Sequence, residues 1–206
     1  MLQERLIETA IDQFGRFGFD GASTRDIARA SDTAMSSITY HFGGKEGLYL
    51  ACADYIAEKA RERHAAGFEL VKDLAGIDRE AAIEHSLAIL DSFAETMLHP
   101  DSESWARFIV REQQAPTEAF ERLYQAMMKP LMEGFGALIA LARPDLPERE
   151  RRAATVLLFG QALIMRAGRA SVCRALGTDN LGETEATLLR AQLRANSLCI
   201  LNGGTQ

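Results

Sequence analysis

Residues 18–49 read GFDGASTRDIARASDTAMSSITYHFGGKEGLY, and the punctuation of this stretch decides the fold. Upstream of it, Leu2, Leu6, Ala10, Phe14 and Phe17 recur at helical spacing and mark the stripe of a first helix. Gly18-Phe-Asp-Gly21 ends that helix, because glycine enters positive φ without steric cost. Ser23-Thr24-Arg25-Asp26 then offers an N-cap hydroxyl with an acid three residues on. The helix it opens is short, since Ile27, Ala28 and Ala30 run into the polar turn Ser31-Asp32-Thr33. A third helix covers Ala34 to Phe42 and is broken by Gly43-Gly44. Lys45 starts a longer one through Leu48, Cys52, Tyr55 and Lys59 towards His64.

Three compact helices with a tight turn before the third have the geometry of a helix-turn-helix. In that arrangement the second helix braces on the DNA backbone and the third lies in the major groove. Ile38 and Phe42, four apart, anchor the third helix inward, with Ala34 as a smaller neighbour. Met35, Ser36, Ser37, Thr39 and Tyr40 are left to face out. Small hydroxyl side chains suit close approach to the groove and pair with base edges as donor or acceptor. Tyr40, His41 and Lys45, with Thr24 and Arg25 at the start of the second helix, are placed for phosphates. On spacing alone an ordinary helical bundle fits as well, because short polar helices followed by Gly-Gly occur there too.

The rest of the chain is helical, without a strand-like alternation. Helices are expected over 79–98, bounded by His99-Pro100, and over 101–114, with Trp105, Phe108 and Ile109 on one face. A further helix begins at Pro116, and its apolar stripe runs from Phe120 through Leu123, Tyr124, Met127, Leu131, Phe135 and Leu138 to Ala142. Pro130 interrupts that stripe and removes the bond to residue 126. The loop Arg143-Pro-Asp-Leu-Pro147 precedes two closing helices, 147–176 and 182–201, divided by Gly177 and Gly182. The expected architecture is all-α: a three-helix helix-turn-helix domain over 1–47, then a helical bundle over 48–206.

Composition excludes several classes. The 206 residues are 47% hydrophobic, enough for a packed core and too many for wholesale disorder. With 23 basic against 29 acidic residues the net charge is −6, which excludes a general polyanion binder but not a protein that reads DNA through one patch. Residues 1–47 carry a net −2 and the remainder −4, yet Thr33 to Lys45 contains no acid. Cys52, Cys173 and Cys199 are odd in number and widely spaced, as buried thiols of a reducing compartment are. The N-terminus lacks a basic region followed by an apolar stretch, and no apolar run approaches the roughly 20 residues of a membrane span. Leu157 to Met165 comes nearest, with Gln161 inside it and Arg166 closing it. A cytoplasmic, membrane-free protein is therefore expected. The histidines at 41, 64, 85 and 99 lack metal-ligand spacing. Gly15, Gly18 and Gly21 lack the strand and the Lys-Ser/Thr ending of a phosphate loop, and no Gly-x-Ser-x-Gly elbow occurs. No metal, cofactor or catalytic residue is expected.

Residues 18–49 closely resemble the DNA-binding segment of the TetR family of bacterial transcriptional repressors. The matching elements are the Thr24 helix start, Ile27-Ala28, Tyr40-His41-Phe42, and Lys45-Glu46 leading to Leu48. The tail from Tyr40 to Tyr49 is similar to the branch with a CerR-type C-terminal domain. So is the later stretch of Arg111-Glu112, Pro116-Thr117, Phe120, Tyr124 and Pro130. Three features depart from the family. Ser31-Asp32-Thr33-Ala34 stands where Ala-Gly-Val-Ser is usual, leaving Asp32 to adopt left-handed geometry. Thr39 replaces an aromatic residue of the recognition helix, so no ring contact carries over to that position. No basic arm precedes the first helix.

The resemblance implies a homodimeric repressor that binds a near-palindromic operator. A small-molecule effector would enter the bundle, displace the fourth helix and release the DNA. Trp105, Phe108, Arg111, Tyr124, Met127, Met128 and Gln161 are the expected ligand-lining residues, because Met and aromatic side chains adapt to irregular guests. Ordinary core is the alternative for each of the apolar ones. Arg107 and Arg111 share a helix face, as do Arg166 and Arg169. Glu103, four before Arg107, has the spacing of a surface ion pair. An anion pocket and a salt bridge both remain open for Arg166 and Arg169. The last two helices are the expected dimer surface, through Val156, Leu157, Gly160, Leu163, Ile164 and Ala167 and then Leu188, Ala191, Ala195 and Leu198. A second reading is a helical ligand-binding or interaction module that no longer reads DNA, motivated by the acidic balance, the missing arm and the unusual turn. An enzyme is a distant third, since no acid, base and nucleophile assemble in the sequence.

Overall fold

A computed structural model describes residues 2–203, Leu2 by its backbone alone, so that its place on the first stripe lies outside the described side chains. Among the described residues there are twelve α-helices and no strand. The chain divides into two compact units, one running to Arg63 and resuming over Asp101–Met128, the other comprising His64–Pro100 and the residues from Lys129 onward.

The first unit holds α1 (Leu2–Gly21), α2 (Thr24–Ala30), α3 (Met35–Phe42), α4 (Lys45–Arg63), α7 (Glu103–Gln114) and α8 (Glu118–Leu123), followed by a π-helical turn over Tyr124–Met128. Its core joins Leu6, Ile11 and Phe14 of α1 to Ile27 of α2, Ile38 of α3, Leu48 and Ile56 of α4, Phe108 of α7 and Leu123 of α8. Phe17 sits on the same stripe by spacing but is exposed. Gly18 leaves helical geometry at φ 74° and ψ 175°, as the glycine break requires, and one further turn continues to Gly21. The expected boundary at 47/48 falls inside α4. The unit runs on to Arg63 and recruits α7 and α8 from 40 or more residues away, a pairing that leaves no local sequence signal.

The second unit comprises α5 (Ala65–Leu70), α6 (Arg79–Leu98), α9 (Lys129–Ala142), α10 (Glu148–Ala167), α11 (Arg169–Leu176) and α12 (Glu183–Asn202). Leu87 and Leu90 of α6, Phe135 and Leu138 of α9, Leu158 and Phe159 of α10 and Leu193 of α12 fill its core. Phe159 meets Phe93 and Phe135 edge-on, with centroids 5.2 and 4.9 Å away. The expected helix over 147–176 is two helices, bent by 84° at Gly168. No single helix among the described residues is long and apolar enough to cross a membrane.

Arginines close the helix ends of this unit. Arg166, buried, donates through Nε to the Met97 carbonyl at 2.8 Å and through a terminal nitrogen to that of His99, collecting carbonyls at the end of α6. Arg79 donates to the carbonyl of Ala142 at 3.0 Å, and Arg143 to that of Ile200 at 2.7 Å, doing the same for α9 and α12. The last carbonyls of a helix have no partner within it, and a guanidinium both satisfies them and complements the helix dipole. Arg169 donates to the Leu181 carbonyl at 3.4 Å. Arg166 and Arg169 thus both donate to backbone carbonyls.

Candidate nucleic-acid interface

The turn between α2 and α3 is built by local and distant contacts together. Ser31 is buried, and its hydroxyl donates to the Ile27 carbonyl at 2.8 Å, ending α2. Asp32 has φ 53°, the left-handed conformation expected for it in place of glycine. Ser23 stands at the N-cap of α2 in extended geometry without a side-chain cap bond, so the expected hydroxyl cap is not made. From α1, Arg5 donates Nε to the Ser31 carbonyl at 3.0 Å and lies 3.5 Å from the Asp32 carboxylate. It pins the turn that aims α3.

Ile38 is the buried anchor of α3, and Phe42 is half-buried beside it. Met35, Ser36, Thr39, Tyr40 and His41 are exposed, Tyr40 to 84%. Positions 35, 36, 39 and 40 lie on one side of a 3.6-residue helix, so the outward face is continuous. Ser37 is half-buried and its hydroxyl accepts from that of Thr33 at 3.2 Å, which ties it to the turn. Gln3 Nε2 and His41 Nδ1 lie 2.9 Å apart, fixing the imidazole against α1.

Lys45 has contacts within the subunit. Its Nζ donates to the Asp20 carbonyl at 3.3 Å and lies 4.7 Å from the centroid of the Phe19 ring. The ammonium closes the end of α1. Arg25 is exposed at the start of α2, beside the half-buried Thr24, and has no partner among the described residues; Arg29 is held by Asp26 at 2.7 Å.

Gly43 and Gly44, at φ 74° and 129°, turn the chain from α3 into α4. Gly47 is the residue that sequence reasoning missed. A Cβ there would lie 1.7 Å from the Phe42 carbonyl oxygen, so α3 and α4 cross where only hydrogen fits. A glycine in the first turn of a helix costs about 1 kcal/mol relative to alanine, and that unexplained cost is the signal that was available. Gln3 and Arg5 carried no such signal, because their partners are 26 to 38 residues away.

Of the expected ligand-lining residues, Trp105, Phe108, Met127 and Met128 share the first unit's core cluster. Phe108 is core and stacks 4.8 Å from Tyr49. Arg111 donates to the carbonyls of Gly15 and Arg16, each at 2.8 Å, which the break at Gly18 leaves without helical partners. Trp105 is half-buried with Tyr55 at 6.5 Å and the Arg63 guanidinium at 5.9 Å. Tyr124 stacks on Phe120, and Met127 and Met128 pack on the first unit's core. Gln161 belongs to the second unit, where it accepts from Asn196 Nδ2 at 2.9 Å. Arg107 bridges Glu103 at 2.9 Å and Asp12 at 3.2 Å, the ion pair its spacing suggested. Glu112, buried, accepts from the Tyr49 hydroxyl at 2.5 Å and from Thr117 Oγ1 at 2.8 Å. Burial, reinforced by that bond, holds the Tyr49 phenol well above the usual tyrosine range.

Two further features belong to the second unit. A cleft of about 270 Å³ lies between α6 and α12, with Leu87, Leu90, Asp91, Thr187, Arg190 and Arg194 among its walls. Arg190 there grips Asp91 with two bonds of 2.7 and 2.5 Å. On the outer side, Val156, Leu157, Gly160, Ile164 and Ala167 of α10 and Leu188, Ala191 and Ala195 of α12 are exposed. Leu163 and Leu198 turn inward to the unit's own core.

A three-helix head with a pinned turn and an outward, acid-free third helix defines a helix-turn-helix DNA-binding protein. Residues 6–52 match the model of the bacterial regulatory proteins of the tetR family, and residues 82–204 match that of the C-terminal domain of the HTH-type transcriptional dual regulator CecR. The chain is 31% identical to CecR of Shigella flexneri, covering 99% of this chain and 93% of that one. This chain belongs to the TetR family of transcriptional regulators, in the branch whose C-terminal domain, expected as CerR-type, is that of CecR. It is also 35% identical to the regulatory protein RaaS of Mycobacterium tuberculosis over 60% of this chain and 50% of that one. The fold is shared with AibR, solved in complex with isovaleryl coenzyme A and operator DNA (TM-score 0.72, 14% identity, 95% and 97% covered). FadR of Bacillus subtilis, solved with stearoyl-CoA, is similar too (TM-score 0.63, 15% identity, 98% and 99% covered).

Proposed function

We propose that this regulator is a ligand-responsive repressor that binds a near-palindromic operator as a homodimer and is released by a small-molecule effector. The observation that carries the DNA reading is α3, anchored by the buried Ile38 and presenting Met35, Ser36, Thr39 and Tyr40 to solvent. Arg25 and Thr24 at the start of α2, with Ser37 and His41 flanking the face, supply the backbone contacts. Lys45 acts by holding α1 in place.

One such head covers a single half-site. Affinity and register come from two heads placed about 34–36 Å apart, or a multiple of that. The exposed apolar face of α10 and α12 supports pairing of two copies into a four-helix interface. Repression follows from occupancy of the operator in the cytoplasm. Release requires an effector that binds the DNA-incompetent state better than the competent one, since equal affinity shifts nothing. Displacement of α4, which carries the chain out of the DNA-binding head, is the proposed path. AibR and FadR were solved with acyl-CoA molecules, which makes this the first ligand class to try. The relative's description as a dual regulator favours a second reading, in which the bound dimer activates some promoters.

The test is fluorescence anisotropy of the purified protein on the DNA upstream of its own gene, at moderate salt, with and without acyl-CoA. Selective binding relieved by ligand supports the proposal. Equal binding to scrambled DNA of the same composition overturns the DNA reading, and selective binding that no acyl-CoA relieves overturns that ligand class.

A further inference from the structure

The exposed face of α3 is unusual in what it lacks. Over Met35–Phe42 there is no Arg, Lys, Asn, Gln, Asp or Glu. Those are the side chains that discriminate bases by hydrogen bonding: Arg and Lys on guanine, Asn and Gln on adenine, the acids on cytosine. His41, the remaining candidate on the helix, is tied to Gln3 at 2.9 Å. Ser36 and Thr39 have hydroxyls, but a hydroxyl donates or accepts as required and pairs with several base edges alike.

What the face does offer is apolar matter at short reach. Met35 with its thioether, Thr39 with its γ-methyl and Tyr40 with its ring are all exposed on it. In the major groove only one base presents an apolar group, the C5-methyl of thymine. We infer that α3 selects its half-site by packing Met35, Thr39 and Tyr40 on thymine methyl groups, so that the decisive base pairs are A·T pairs read from the thymine side. This deepens the DNA reading proposed above and rests on it. Arg25, on α2 and without a partner among the described residues, is the one free guanidinium near the face for a flanking guanine or a phosphate.

The experiment leaves the protein intact and alters the DNA. Full-length protein first selects from a random duplex library, and the best duplex is remade with uracil replacing each half-site thymine in turn. Uracil keeps every hydrogen-bonding edge and removes only the methyl. Burial of one methyl is worth about fourfold in affinity, so each contacted thymine replaced in both half-sites is expected to weaken binding about sixteenfold. In the Met35→Ala and Thr39→Ser proteins the uracil penalty at one thymine each should shrink, which assigns the contact. Uniform tolerance of uracil, or a selected half-site defined by guanines with freely varied thymines, overturns the inference and leaves DNA reading intact. Enrichment of no sequence at all overturns the DNA reading itself, and this inference with it.

Discussion

The face of α3 and the face shared by α10 and α12 are both uncovered, and their chemistry is opposite. On α3 the uncovered groups are one serine, a threonine, a tyrosine, a histidine and one methionine. On α10 and α12 they are aliphatic, with Leu157 66% exposed and Val156, Ile164 and Leu188 more than half exposed. Burying an aliphatic side chain is worth about 1.5–3 kcal/mol, so the second face is under constant pressure to be covered. A hydroxyl-rich face is not, because water satisfies it. On the proposed reading the difference separates a permanent partner surface from an occasional one, and it predicts which substitutions harm one without the other.

The largest expected effect is Gly47→Ala. The new methyl would overlap the Phe42 carbonyl, a backbone atom that cannot move aside without re-aiming α3. A loss of about 3 kcal/mol or more is expected, confined to the first unit. Operator binding should vanish while the size of the assembly in sedimentation is unchanged. Normal operator affinity in this variant would show that the α3–α4 crossing is looser than the 1.7 Å approach implies.

Leu157→Glu attacks the other face. Glutamate at that site is harmless to the subunit's own core, which lies on the opposite side of α10. The protein should become monomeric by light scattering, keep its helical content, and lose about 100-fold or more in operator affinity through loss of two-site binding. A Leu157→Glu dimer would place the interface elsewhere.

Between these two faces, the sequence announces one better than the other. The α3 turn, the Gly43-Gly44 break and the extents of α6 and α12 are visible because each is set by residues within a few positions: a glycine, a proline, a 3.6-residue stripe. The left-handed Asp32 belongs to the same class. What stays hidden is the chain's use of arginine. Arg5, Arg79, Arg111, Arg143 and Arg166 each close a turn or helix end whose carbonyls lie 26 or more residues away. No periodicity marks such a bond, so the sequence gives no sign that Arg111 donates to the carbonyls of Gly15 and Arg16. The aromatic and methionine residues of α7 and the π-helical turn are ambiguous for a related reason. Core and cavity lining share one composition, and only the packing partner tells them apart.

Arg111→Ala tests that cap and should cost about 1–2 kcal/mol of stability, because two carbonyls lose a charged donor but remain near solvent. Arg111→Lys should recover only part, since an ammonium cannot span both acceptors in the plane of a guanidinium. Urea melts give the comparison. If both variants match the parent, the carbonyls of Gly15 and Arg16 are satisfied by water and the cap is incidental.

The smallest effect belongs to the cleft of the second unit. The bond from Arg190, with further help from the charges of Arg190 and Arg194, holds the Asp91 carboxyl below its ordinary value of 3.8. A carboxyl whose folded pKa is depressed stabilises the fold above the unfolded value and ceases to do so as pH falls through the folded one. Asp91→Asn should therefore destabilise by the same small amount at pH 7 and pH 5, well under 1 kcal/mol for a pair this open to solvent (about 1 kcal/mol is the usual ceiling). The gap from the parent should close only below about pH 4. It should also narrow in 1 M salt, where the screening length falls to about 3 Å. A gap that narrows already between pH 7 and pH 5 would mean that some other group titrates against Arg190. The aliphatic face of α10, which carries no titrating group at Val156, Leu157 or Ile164, should show neither dependence. Loss of the proposed dimer contact and loss of the Asp91–Arg190 pair can thus be told apart by pH and salt alone.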